Sequence, residues 1–144
     1  MKSKQGDKTR QDLVLYRKEQ AQDTFSEASD LAKSQRWNGC VNRLFYACFY
    51  AVSAYLLAIG KTSKTHSGTK SAFHAAMIKT GLLSDSMGDL YNQLFDNRFE
   101  GDYEDFVQFD SETILPLLPQ AQDFINTLSD ITENALLQLP SETP

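Results

Sequence analysis

The sequence predicts an all-α protein, and three observations support this prediction. The 144 residues include only seven glycines and four prolines, so regular structure is rarely interrupted. Apolar residues recur every three or four positions over long stretches, which places them on one face of a helix. Residues 38–60 are apolar around almost the whole helical circumference, as in a helix that neighbours pack against from several sides.

Composition and the positions of the two cysteines indicate what class of protein this is. Hydrophobic residues make up 41% of the chain, which excludes an intrinsically disordered protein. We expect one helical domain over residues 9–138, between a disordered start at 1–8 and a disordered tail at 139–144. Cys40 and Cys48 lie on one helix, too far apart to bridge each other. We interpret them as core residues of a reduced, cytoplasmic protein with no membrane span.

The first helix is predicted from about Thr9 to Ser34. Its apolar face is the series Leu13, Tyr16, Ala21, Phe25, Ala28, Leu31 and Ala32. A tight connection at residues 35–39 implies that the second helix runs antiparallel to the first. Within this connection we expect Trp37 to close one end of the fold and Asn38 to cap the second helix.

The second helix, residues 38–60, carries a polar and aromatic stripe on an otherwise apolar surface. Arg43, Tyr46, Tyr50 and Ala54 fall along one side of it. A charged side chain inside a core helix needs a partner, because burying it alone is costly. The stripe is therefore the first indication of a functional site.

A polar, basic loop at residues 61–68 leads into the second half of the chain. We expect Ser67 to cap a third helix, which stops at Gly81. Ser84 or Asp85 then opens a fourth helix, since either side chain can accept from a free N–H of the first turn.

The fourth helix is expected to present an inner face made of Leu90, Tyr91, Leu94, Phe95 and Arg98. Gly101 is expected to break the helical pattern after it. The last helix is predicted from near Ser111 to about Leu137, with Pro116 and Pro119 in its first turn or at a kink.

Charge is segregated along the chain, although the net charge is only −5. Residues 31–84 contain no Asp or Glu and seven basic residues, whereas residues 85–144 contain thirteen acidic residues and a single basic one, Arg98. This pattern indicates either a surface that faces a polyanion or basic and acidic helices that compensate each other. The acidic total argues against sequence-independent coating of nucleic acid.

The loop before the third helix is one candidate site. Lys64, Thr65 and His66 combine a cation, a hydroxyl and free backbone N–H groups at a helix start, which suits an anion. The alternative is an ordinary helix cap with incidental basic residues. Motifs typical of phosphate loops, dinucleotide binding, nucleophile elbows and zinc sites are absent, so no metal or cofactor is expected.

Arg98 is the centre of a second candidate site. Beside Asp102 and Tyr103 it could hold a phosphate or the edge of a base, while Tyr103 stacks or donates its hydroxyl. The alternative is a structural ion pair with Asp102, Glu104 or Asp105. A role for Asp102 or Glu100 as a general base has little support in the sequence.

Four segments occur in a characteristic order: NRLFYACFYAVSAYLL, the Thr-His-Ser-Gly start of the third helix, AFHAAMIKTG and NRFEGDY. Together they resemble the HEPN family of small nucleotide-binding domains, over roughly Leu13 to Leu137. The resemblance is strongest to the stand-alone prokaryotic branch that is often encoded beside a minimal nucleotidyltransferase. It implies an antiparallel four- to five-helix up-and-down bundle that pairs as a homodimer.

The resemblance also implies a possible activity, since many members of that family are metal-independent ribonucleases of toxin–antitoxin or defence systems. Their motif is an Arg followed within a few residues by a His, and two copies meet across a dimer cleft. Arg98 matches the Arg and Tyr103 the aromatic residue that often ends the motif. Phe99, however, replaces the polar neighbour, and residues 100–105 contain no His. The missing imidazole argues against catalysis near neutral pH.

Three hypotheses follow from this resemblance. The first is a protein that binds a nucleotide or RNA in a homodimer cleft, as one component of a toxin–antitoxin or defence module with a nucleotidyltransferase. Its binding residues would be Arg43, Tyr46, Lys64, Thr65, His66, Arg98 and Tyr103. The second is a divergent metal-independent endoribonuclease in which His66, with Arg98 and Asp102, replaces the usual His. The third is a non-catalytic adaptor that only recruits protein.

Overall fold

A computed structural model of the protein describes residues 9–138, and this part of the chain is a helical bundle without strands. Its helices are α1 (Arg10–Lys33), α2 (Trp37–Ala58), α3 (His66–Phe73), α4 (Asp85–Tyr103), α5 (Ser111–Ile114) and α6 (Leu117–Leu137). The prediction of an all-α bundle is confirmed. The disorder predicted for residues 1–8 and 139–144 lies outside the described residues.

Helix α1 begins where the sequence predicts, at a capping box. The Thr9 hydroxyl accepts from the Asp12 N–H at 3.1 Å, and the Asp12 carboxylate accepts from the Thr9 N–H. Its buried residues are Val14, Ala21, Thr24 and Ala28. Tyr16 was wrongly predicted to lie on the apolar face: it is 60% exposed. Two positions turn the helix by about 200°, so a buried Val14 directs Tyr16 outward.

Helix α2 lies at the centre of the bundle and contacts α1, α4 and α6. By length and composition α2 could cross a membrane, yet 61% of its most apolar window is buried inside the bundle, as in a core helix. Cys40 and Cys48 are fully buried with free thiols, and burial raises the pKa of Cys40 to about 11. Their interpretation as core residues is confirmed. Trp37, the first residue of α2, packs half-buried against the same core.

The predicted cap of α2 is wrong. The helix begins at Trp37 without a side-chain cap, and Asn38 already lies inside it. The Asn38 amide instead donates to the Val107 carbonyl and accepts from the Phe109 N–H, both at 2.9 Å. An amide can satisfy one donor and one acceptor at once. Asn38 therefore anchors the segment that connects α4 to α5.

Helix α3 is capped by Thr65 and not by Ser67, which corrects the predicted start. The Thr65 hydroxyl accepts from the Gly68 N–H at 2.9 Å. After α3 the chain continues as a π-helical turn over His74–Ile78, which the sequence did not predict. It ends as predicted at Gly81, whose φ of +78° suits glycine.

Helix α4 opens at the Ser84 cap, as predicted, but it does not break at Gly101. It continues to Tyr103, because a lone glycine only weakens a helix. The Phe109 ring lies 3.1 Å from the position that a Cβ at Gly101 would occupy, so glycine allows the following segment to pack closely. The last helical region is divided at Pro116, which lacks the N–H that would continue α5 into α6.

Candidate functional site

The residues predicted from the two halves of the chain meet around Arg98. This side chain lies on α4, faces α2 and is only 4% exposed. We call the residues around it the Arg98 cluster, which consists of Arg98, Phe45, Tyr46, His66, Asp102 and Tyr103. The cluster joins the stripe on α2, the start of α3 and the last turns of α4.

Aromatic rings surround the Arg98 guanidinium. Its central carbon lies 5.0 Å from the ring centre of Phe45, 5.7 Å from that of Tyr103 and 6.0 Å from that of Tyr46. Rings at these distances attract a cation through their electron-rich faces. Tyr103 itself is 67% exposed, so it covers the site from the solvent side.

The charge of Arg98 is only partly compensated. Its ion pair with Asp102, the structural role considered from the sequence, is long, with 3.7 Å between Nη1 and Oδ2. Its buried Nε–H has no hydrogen-bond partner within the described residues. A buried guanidinium with an unsatisfied donor costs free energy. An added anion would reduce that cost, because it supplies both charge and acceptors.

Asn42 connects Arg98 to the other predicted arginine. Its amide donates to Asp102 Oδ2 at 3.0 Å, and its carbonyl oxygen accepts from Arg43 Nε and Nη2 at 3.0 and 2.8 Å. Arg43 and Arg98 therefore converge on one side of α2. Arg43 is not buried as its position on a core helix suggested: its side chain is one-third exposed and pairs with Glu27 at 3.4 Å.

His66 joins the cluster through Tyr46. Its Nε2 lies 3.2 Å from the Tyr46 hydroxyl, and its ring meets that of Phe49 edge to face with 4.9 Å between centres. Burial, followed by the positive charge of Arg98, lowers the pKa of His66 below its ordinary value. The imidazole is therefore neutral at pH 7 and able to exchange a proton.

Not every residue proposed from the sequence reaches the cluster. Lys64 and Thr65 are exposed on the loop, and the Thr65 hydroxyl is used by the cap of α3. Ala54, the last position of the stripe, is buried with Val14 against α1. Tyr50 continues the stripe, with its ring centre 6.2 Å from that of Tyr46.

Two nearby residues were missed. Asn42 connects the arginines, and Lys70 places its Nζ 4.6 Å from the ring centre of Phe95. Lys70 lies one turn after His66 on α3, so helical spacing from His66 could have identified it. Within residues 9–138 no group of three or more His, Cys, Asp or Glu side chains could hold a metal ion.

Comparison with known proteins adds independent findings. Residues 14–131 match the HEPN domain. A UPF0332 protein of Thermotoga maritima is 34% identical over 122 residues, which are 85% of this chain and 92% of that protein. A Methanocaldococcus jannaschii protein named "Putative toxin" is 29% identical over 108 residues, 75% of this chain and 74% of its own length. A UPF0332 protein of Archaeoglobus fulgidus is 33% identical over 86 residues, which are 60% of this chain and 68% of that protein.

Proposed function

The chain belongs to the HEPN family, and from that premise we propose that it binds RNA or a nucleotide through a phosphate at the Arg98 cluster. The observation that carries the proposal is the buried, under-compensated guanidinium of Arg98. Its side chain is 4% exposed and its nearest carboxylate oxygen is 3.7 Å away. A phosphate would give Arg98 the short, charge-assisted hydrogen bonds that it lacks.

The rings of the cluster support a ligand that carries a base as well as a phosphate. Tyr103 is exposed and lies next to Arg98, so a base could stack on its ring while the phosphate meets the guanidinium. Arg43 and Lys70 add positive charge at the same side of the bundle. Glu27 and Asp102 offset part of this charge, which favours one phosphate over a long polyanion.

We propose that a second copy of the chain completes the site. Phe99 is 49% exposed, Tyr103 is 67% exposed and Phe106 is fully exposed, and all three lie near the end of α4. A group of exposed aromatic residues is typical of an interaction surface. Pairing of two chains there would bring two Arg98 clusters together and form a cleft.

The name of one relative supports a proposal about the biological setting. Because that relative is named "Putative toxin", we propose that this chain is the toxin-like component of a toxin–antitoxin or defence module in the cytoplasm. A nucleotidyltransferase is the proposed partner protein. Co-expression of the chain with a nucleotidyltransferase encoded beside it tests this point, since a stable complex should copurify.

Binding of a labelled oligoribonucleotide, followed by fluorescence anisotropy at low salt, tests the site. Arg98→Met should weaken binding roughly tenfold or more, since hydrogen bonds to a charged group contribute about 1.5–3 kcal/mol. Arg36→Met is the matched control, because Arg36 is exposed at the α1–α2 connection. Equal affinity of folded Arg98→Met and unmodified protein would refute the site.

A second function, metal-independent RNA cleavage, is favoured by one observation: His66 Nε2 lies 3.2 Å from the Tyr46 hydroxyl beside Arg98. A neutral His66 could take the proton of a 2′-hydroxyl while Arg98 stabilises charge on the attacked phosphate. Incubation of labelled RNA without metal tests it. Cleavage that is lost in both His66→Gln and Arg98→Met would establish the ribonuclease, and intact RNA would leave the binding function.

A further inference from the structure

A small cavity lies between α1, α2, α3 and the loop that connects α2 to α3. Its volume is about 70 Å³. Its polar lining consists of two cations, Arg17 and Lys61, and four hydroxyl residues, Ser53, Thr62, Ser63 and Thr69. None of these residues belongs to the Arg98 cluster, and Ser53 lies two turns of α2, about 10 Å, beyond Tyr46.

The charges of this cavity are not balanced. Arg17 and Lys61 line it together, and no carboxylate does. Neither cation forms an ion pair within residues 9–138. Arg17 is half-buried, so its charge has lost part of its hydration without gaining a partner. The lining therefore attracts an anion.

Thr69 provides a second, independent observation. The residue is 3% exposed and lines the cavity, and its side-chain oxygen is not among the fully buried atoms without a partner, so a molecule in the cavity can reach it. A hydroxyl that is accessible from the cavity can donate a hydrogen bond to an anion there. Thr69 also lies in the first turn of α3, where the helix dipole is positive.

The wall formed by the loop is held in place by its own hydrogen bonds. Gly60 has a φ of +80°, and the N–H groups of Gly60 and Lys61 donate to the Leu57 and Leu56 carbonyls at 3.0 and 2.7 Å. These bonds use the last carbonyls of α2, which would otherwise repel an anion. The Ser63 hydroxyl donates to the Thr65 carbonyl at 3.2 Å. These bonds fix the loop that forms one wall of the cavity.

We propose that this cavity binds a tetrahedral phosphate group through Arg17, Lys61 and the hydroxyl of Thr69. Its volume is far below the roughly 300–1,000 Å³ of pockets for larger organic ligands, which excludes a buried base or sugar. A phosphate group matches its size, its two positive charges and its hydroxyl donors. The group is either inorganic phosphate or one phosphate of an oligonucleotide.

Titration of the full chain with inorganic phosphate, followed by amide NMR shifts, tests the proposal. Saturating shifts should be centred on residues 61–63 and 69. Thr69→Val keeps the shape and removes the hydroxyl, and Arg17→Met removes a charge; each should weaken binding roughly tenfold, the effect of losing a hydrogen bond to a charged group. Arg36→Met and Lys33→Met are controls that should leave this affinity unchanged, because both side chains are exposed near the α1–α2 connection.

Three results would overturn the proposal. The first is a titration that does not saturate, and the second is a phosphate affinity that is the same in Thr69→Val, in Arg17→Met and in the unmodified protein. The third is phosphate binding that is lost only in Arg98→Met. The last would assign phosphate to the Arg98 cluster, so failure here is distinguishable from failure of the proposed function. Because Thr69→Val preserves volume, its thermal unfolding should match that of the unmodified protein without phosphate. A gain in Tm with phosphate should occur in the unmodified protein and be reduced in Thr69→Val.

A competition experiment distinguishes the two sources of phosphate. If an oligonucleotide fills the cavity, saturating inorganic phosphate weakens oligonucleotide binding and Thr69→Val does the same. If free phosphate is the ligand, oligonucleotide binding is insensitive to both changes, while the phosphate titration still depends on Thr69. Each result supports a phosphate site and identifies its occupant.

Discussion

The Tyr46 hydroxyl lies 3.2 Å from His66 Nε2, although the two residues are 20 positions apart in the chain. Tyr46 is on α2 and His66 is the first residue of α3, so this contact joins the aromatic stripe to the basic loop. Arg98 faces the same Tyr46 ring from α4, with 6.0 Å between its guanidinium carbon and the ring centre. One tyrosine thus connects the two candidate sites that the sequence showed separately.

Loss of the Tyr46 hydroxyl should destabilise the protein modestly. Tyr46→Phe keeps the ring contacts and removes one half-buried hydrogen bond, which costs about 1 kcal/mol. Chemical denaturation measures the free energy of unfolding. Tyr16→Phe is the control, because Tyr16 is exposed and should show no change. Equal stability of the two variants would mean that the contact with His66 contributes nothing.

Removal of the Arg98 charge should raise the pKa of His66 toward its ordinary value. Burial comes first among the causes that lower this pKa and the charge of Arg98 second, so the rise in Arg98→Met should be partial. NMR titration of the His66 ring measures it. Arg36→Met is the control and should leave the His66 titration unchanged. An unchanged His66 pKa in Arg98→Met would show that the charge of Arg98 does not influence this pKa.

The same lowered pKa predicts how stability depends on pH. Because the folded protein binds the His66 proton less readily than the unfolded chain, the unfolded state gains protons first as the pH falls. The free energy of unfolding should therefore decrease as the pH falls below about 6.5, the ordinary pKa of histidine. Below the pKa of His66 in the folded protein, this residue should cause no further decrease. His66→Gln should lose this part of the pH dependence in denaturation curves, which an unchanged curve would contradict.

Substitution at the start of α3 should distinguish the observed cap from the predicted one. Thr65→Ala removes the acceptor of the Gly68 N–H, and loss of such a cap costs about 1 kcal/mol. Ser67→Ala should change the free energy of unfolding much less, since α3 does not use that hydroxyl. Denaturation of both variants measures the difference, and the reverse order would restore Ser67 as the cap.

Periodicity was sufficient for most of the helices and for the core. It could not locate caps reliably, since Asn38, Thr65 and Ser67 all have side chains that can accept from a backbone N–H. Which of them does so depends on where other segments pass: Asn38 is used by residues 107–109. The predicted helix break at Gly101 is wrong for a related reason. The glycine does not end α4; its lack of a side chain makes room for the Phe109 ring.

The sequence predicted only part of the Arg98 cluster, because contacts between helices also decide which side chains belong to it. Arg98 and Tyr46 could be identified because a charge or hydroxyl on an apolar face is conspicuous. Asn42 was missed because its role depends on Arg43 and Asp102, which only the packing of α2 on α4 brings together. The π-helical turn at His74–Ile78 leaves no comparable signal, since its residues fit an ordinary helix equally well.

Neutralising Asp102 should strengthen anion binding at Arg98. Asp102→Asn keeps the shape and removes the carboxylate that now pairs with Arg98 at 3.7 Å. An oligoribonucleotide should then bind several-fold more tightly at low salt, with the gain reduced by added salt. Asp96→Asn, also on α4 and exposed, is the control for general charge. Weaker binding in Asp102→Asn would mean that Asp102 positions Arg98 rather than competing with the ligand.

Tyr91→Phe should leave the protein at least as stable as the unmodified chain. Tyr91 is fully buried between Phe45, Phe73 and Phe124, and its hydroxyl has no hydrogen-bond partner within the described residues. Burial also raises the pKa of this phenol, which keeps it neutral. Removal of an unsatisfied buried hydroxyl should gain up to about 1 kcal/mol, because the desolvation cost disappears while the ring contacts remain.

Tyr50→Phe is the matched control for this substitution, since the Tyr50 ring lies half-buried on the same bundle and its hydroxyl has no described partner. Its free energy of unfolding should be unchanged, because water can reach a side chain that is only half-buried. A loss of stability in Tyr91→Phe would contradict the expectation. It would show that the Tyr91 hydroxyl is satisfied in solution, for example by a buried water that bridges it to a neighbouring polar group.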